Sequence, residues 1–105
     1  MSTEITSHKM NIFLDKISSI LNVEKTEILR QSILMWLSKK RQEISRAIKS
    51  ILEKYRVKSV DELEKKISKG EVPEHPTWED LITAENLLQS LKELEEIIND
   101  LQELG

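Results

Sequence analysis

His8 and His75 are the side chains best suited to proton transfer near neutral pH, but they lie in different segments and at no metal-ligand spacing from each other. The chain has no cysteine, which removes disulfides, thiolate metal sites and a cysteine nucleophile, and fits a reducing cytoplasm. With Gly70 and Gly105 as the two glycines, neither a phosphate-cradling loop nor a nucleophile elbow can be built. Carboxylates are dense at Glu93, Glu95, Glu96 and Asp100, but acids in a run on one helix are ordinarily a solvated face. These residues imply no enzyme, no metal and no cofactor. What remains is the chemistry of binding: cations placed for phosphate, and apolar side chains at helical spacing.

The cations are unevenly distributed. Residues 1–58 hold 12 Lys and Arg against 6 Asp and Glu, a net +6, whereas residues 59–105 hold 4 against 13, a net −9. A basic half suits a polyanion and an acidic half suits a basic partner protein. The plainer alternatives are that Lys-rich and Glu-rich helices solvate their outer faces, or that the two halves pack on each other. At 105 residues, 38% hydrophobic and 33% charged, the chain is sized for one domain with a thin core, which a second copy would thicken. No apolar run approaches the length of a membrane span, and the first ten residues do not resemble a signal peptide.

Four helices can carry these residues. Met10, Phe13, Leu14, Ile17, Ile20 and Leu21 recur at three and four, which predicts a first helix from about residue 10 to 21 ending at Asn22. A second helix opens near Lys25 and meets no Gly or Pro before residue 70, so some 30 helical residues are expected. "SVDE" at residues 59–62 is a capping box for a short third helix, which Gly70 closes. Pro73 and Pro76 make residues 71–80 a linker and bias Val72 and His75 to extended backbone. Thr77 is the expected cap of a last helix, with Glu79 and Asp80 in its first turn. On that helix Leu87, Leu91, Leu94, Ile98 and Leu101 form a seam at alternating gaps of four and three.

Residues 14–37, LDKISSILNVEKTEILRQSILMWL, place Leu14, Ile17, Ser18, Asn22, Val23, Lys25, Thr26, Glu27, Ile28, Leu29, Arg30, Ser32, Ile33 and Trp36 in an order that resembles the helix-turn-helix part of the ribbon-helix-helix family of DNA-binding dimers. The resemblance implies a fold in which the second helix crosses its symmetry mate, with Ile28, Leu29, Ser32, Ile33, Trp36 and Leu37 at the dimer interface. It implies phosphate contacts from Lys25, Thr26 and Arg30, and a short strand over residues 2–8 whose Thr3, Ile5 and Thr6 would read double-stranded DNA as half of a two-stranded ribbon. Many members of that family are antitoxins whose C-terminal part binds a toxin.

The expectation is therefore an all-α homodimer with at most one short N-terminal strand. Residues 1–58 would form a ribbon-helix-helix-like dimerisation and DNA-binding region, and residues 59–105 an acidic helical extension. As a cytoplasmic DNA-binding regulator or antitoxin, the chain would use Trp78, Leu81, Leu87, Leu91, Leu94 and Ile98 to bind a basic protein such as a toxin. The alternative is a helical homo-oligomeric interaction protein without DNA binding. Equally, Trp78, Leu81 and Ile82 could fold back to cover the long helix.

Overall fold

A computed structural model describes the backbone of residues 3–104 and the side chains of residues 6–104. Among the described residues the chain is all-helical: α1 (Thr3–Leu21), α2 (Lys25–Lys54), α3 (Val60–Ser68) and α4 (Glu74–Glu103). The ribbon strand expected over residues 2–8 is overturned, because α1 already runs from Thr3. A ribbon needs a second strand and a buried face, and Ile5 was the lone residue able to supply one. Extending a helix nucleated further along costs far less, since each added residue brings its own backbone hydrogen bond.

One device closes three of the helices. Asn22, Arg56 and Gly70 adopt positive φ of 55°, 56° and 70°. The amide one residue beyond each donates back to the carbonyl five residues before it: Val23 to Ser18 at 3.2 Å, Val57 to Leu52 at 3.0 Å and Glu71 to Lys66 at 3.0 Å. This is the six-to-one bond of a Schellman ending. At the start of α3, Ser59 Oγ accepts from the Glu62 amide at 3.1 Å, and the Glu62 carboxylate accepts from the Lys58 amide at 2.8 Å.

α2 and α4 lie antiparallel. Lys54 at the end of α2 meets Asp80 near the start of α4 at 2.9 Å, while Leu29 and Ile33 near the start of α2 share a groove with Leu101 and Leu104 at the end of α4. The core is densest where α2 ends. There Val57, Leu63 and Leu81 are buried, with Ile51, Leu52, Tyr55, Val60 and Ile67 packed around them. Leu37 and Ile48 of α2 and Ala84 and Ile98 of α4 continue it along the hairpin. Leu81 and Ile98, two of the expected partner-binding residues, are thus enclosed by the chain itself and cannot anchor a partner. The core also draws on both sides of the residue 58 boundary.

Thr77 does not cap α4. Its side chain is buried and its Oγ1 has no hydrogen-bond partner among the described residues. His75 is extended (φ −115°, ψ 131°), so the regular part of α4 begins at Pro76, whose fixed φ suits a first helical position. Glu79 serves this end instead. Its carboxyl is held below the usual range, first by its own backbone amide and then by His75, whose Nδ1 lies 2.7 Å away.

The molecule measures 62 × 34 × 17 Å with a radius of gyration of 20.3 Å, against about 13 Å for a compact domain of this length. A 30-residue helix is about 45 Å long, so the 62 Å length shows α1 extending beyond the α2–α4 hairpin.

Candidate functional site

α2 is the main packing partner of α1, and the sequence of α1 shows whether it was built for more. α1 carries its apolar residues on one face, yet Met10, Phe13, Ile17, Ile20 and Leu21 are all exposed, Ile20 at 79% and Leu21 at 64%. Leu14 and Ser18 are half-buried. α1 is held to α2 chiefly through its turn: Ser18 Oγ donates to the Val23 carbonyl at 2.6 Å, and Lys25 forms an ion pair with Asp15.

The open face continues onto the first half of α2. Leu29, Ile33, Met35 and Trp36 are exposed, Trp36 at 60%. Of the residues expected at a dimer interface, Leu29, Ser32, Ile33 and Trp36 are therefore accessible and Ile28 is half-buried. Leu37 is the correction: it is buried in the chain's own core, because one residue beyond Trp36 turns the helix by about 100° towards α4.

Beside this face lies a groove of about 480 Å³ between the start of α2 and the end of α4. Leu29, Ile33, Leu101 and Leu104 line it, together with Glu24 and the paired Glu27 and Arg30. The end of α4 is acidic: Asp100 and Glu103 stand in its final turns and no basic residue stands in its last turn. Negative charge there adds to the negative end of the helix dipole, so the site favours a cation from outside.

The cations assigned to DNA are largely occupied. Arg30 grips Glu27 with two hydrogen bonds, 2.9 Å from Nε and 2.5 Å from a terminal nitrogen. Together with Gln31 at 2.9 Å, this holds the Glu27 carboxyl down to about 2. Lys25 is paired with Asp15. Thr26 is exposed beside the groove, and Thr6 is exposed on α1. The side chains of Thr3 and Ile5 lie outside the described residues. Further along α2, Lys40 pairs with Glu43 at 3.1 Å and sits over the Trp36 ring. Lys39, Arg41 and Ser45 border a shallow polar depression.

On α4, Leu87, Leu91 and Leu94 are half-buried against the chain, whereas Trp78 is exposed beside Ile67 and His75. No group of His, Asp and Glu able to hold a metal ion occurs among the described residues. No described helix is long and apolar enough to cross a membrane. The sequence analysis missed the role of α1. Its stripe was legible, but its lack of a covering element was not.

A family model described as "Uncharacterized protein MJ0235 family" matches residues 9–105. The chain belongs to the MJ0235 family. The match spans all of α2, α3 and α4 and the part of α1 from Lys9 onward, so the open face and the groove fall within the family's extent. Comparison with curated proteins and with solved structures finds no match.

Proposed function

We propose that this MJ0235-family chain is a helical homo-oligomeric interaction protein, whose smallest unit is a dimer closed over the apolar face of α1 and the start of α2. The observation that carries the proposal is the area left open. Eight large side chains on this face, Met10, Phe13, Ile17, Ile20, Leu21, Leu29, Ile33 and Trp36, are 39–79% exposed. At about 200 Å² per large side chain they leave roughly 900 Å² of apolar surface on each copy, beyond the ~800 Å² that each partner contributes to a standard stable interface. Monomers seldom keep a contiguous apolar patch larger than about 600 Å².

Sedimentation velocity on the full chain at micromolar concentration tests this. A dimer or higher oligomer is expected, with Trp36→Glu dissociating it while helix content is retained, since Trp36 is not in the chain's own core. A wild-type monomer overturns the proposal.

A second reading, DNA binding by a regulator or antitoxin, is favoured by Lys39, Arg41 and Arg46, which form no ion pair among the described residues. With α1 helical from Thr3, these contacts would be to the phosphate backbone, and binding would fall steeply with salt. Failure to shift any duplex at about 50 mM salt removes this reading. A toxin-binding role would fall to Trp78 and the half-buried leucines of α4.

A further inference from the structure

The groove between α2 and α4 and the bare face of α1 are both apolar and are flanked by opposite charges. The groove is apolar at its floor, through Leu29, Ile33, Leu101 and Leu104, and acidic at the α4 end. Leu104, one of these lining residues, is 77% exposed. α1 presents an apolar stripe of the same chemistry. Lys9 and Lys16, seven residues apart and so nearly in line along the helix, border that stripe.

α1 does not line the groove of its own chain; the Asn22 turn, the Ser18–Val23 hydrogen bonds and the Lys25–Asp15 pair hold it to the start of α2. We infer that each α1 docks into the α2–α4 groove of a second copy of this chain, with Lys9 and Lys16 against the acidic end of the partner's α4. The contact is reciprocal, and this isologous arrangement closes at two copies. The inference rests on the homo-oligomer proposed above and adds which surfaces meet.

The absence of native cysteine makes the test direct. Two single-cysteine chains, Phe13→Cys and Leu104→Cys, are mixed as full-length proteins and mildly oxidised, with Trp36→Cys oxidised alone as a comparison. A disulfide between the Phe13→Cys and Leu104→Cys chains is expected, because the two positions meet across copies. Phe13→Asp should weaken association about thirtyfold or more, as loss of a central aromatic anchor does, with unchanged helix content because Phe13 is exposed in the single chain. Lys16→Glu should weaken it by a few-fold, and Glu103→Lys in the same chain should restore it.

If the wild type is oligomeric but only Trp36→Cys crosslinks, the groove assignment is overturned and the homo-oligomer stands. The groove assignment also fails if Lys16→Glu and Glu103→Lys act independently rather than compensating. A monomeric wild type overturns both.

Discussion

Truncation after Gly70 separates a tail that binds partners from a helix that completes the fold. α4 contributes two buried large aliphatic side chains, Leu81 and Ile98, and five half-buried leucines, Leu87, Leu88, Leu91, Leu94 and Leu101. At about 1.5–3 kcal/mol for each buried aliphatic and about half that for each half-buried one, their loss removes roughly 7–13 kcal/mol. Total domain stability is about 5–15 kcal/mol, so the truncated chain is expected to be unfolded or aggregated. Leu81→Ala is the graded version. It should cost about 2–5 kcal/mol and lower Tm by roughly 10–40 °C, measured at one protein concentration because association shifts Tm. Far-UV circular dichroism with thermal melting reads both variants. A truncated chain that melts cooperatively with the helix content of α1 and α2 would refute the assignment of α4 to the core and restore it as a detachable partner-binding element.

Two further outcomes are expected. Thr77→Val should raise stability by about 1 kcal/mol, because it removes a buried hydroxyl that has no hydrogen-bond partner among the described residues. Loss of a true helix cap would instead cost about 0.5–2 kcal/mol, so the sign of the change in denaturant midpoint decides between the two roles. Asp80 is held below the usual carboxylate range, first by the Tyr55 hydroxyl and then by Lys54, and its folded pKa is thus lower than its unfolded one. Its contribution is complete above the ordinary value near 3.8 and is lost as pH falls through the depressed value. Asp80→Asn should flatten the acid decline of stability below about pH 4, and identical acid profiles for the two proteins would show that the Tyr55–Asp80 contact carries none of it.

Much of the fold was legible because its signals are local. The length of α2, the Ser59–Glu62 box, the Asn22 and Gly70 endings and the extended His75 each depend on a few adjacent residues. Arg56 was not legible as a helix ending, since a left-handed arginine is disfavoured and is held there by Val57, which is buried against the cluster of Leu63 and Leu81. Thr77 was misassigned for a related reason. Its neighbours in sequence suit a cap, but the packing of α4 on α2 and α3 turns it inward, and that packing is set by residues far along the chain. The strand expected over residues 2–8 rests on weak β-propensity and a family resemblance, whereas the chain from Thr3 extends the helix whose apolar stripe begins at Met10.

The candidate surface divides along α2 in a way that periodicity alone could not resolve. Leu29, Ile33 and Trp36 follow one another at four and three, and Leu37, Ile44 and Ile48 at seven and four. Successive residues on a helix are separated by about 100°, so these are two stripes side by side, together wider than one neighbouring helix can cover. α4 covers the second stripe, leaving Leu37 and Ile48 buried and Ile44 half-buried. The first remains open beside the equally open face of α1. A sequence shows that both stripes are apolar but not which one its own chain closes. Once α4 is seen to close the second, the first and the α1 face remain as the surface on which the proposed second copy would pack. Their residues are as apolar as the core's own, which on that proposal is the composition expected of an obligate contact between copies.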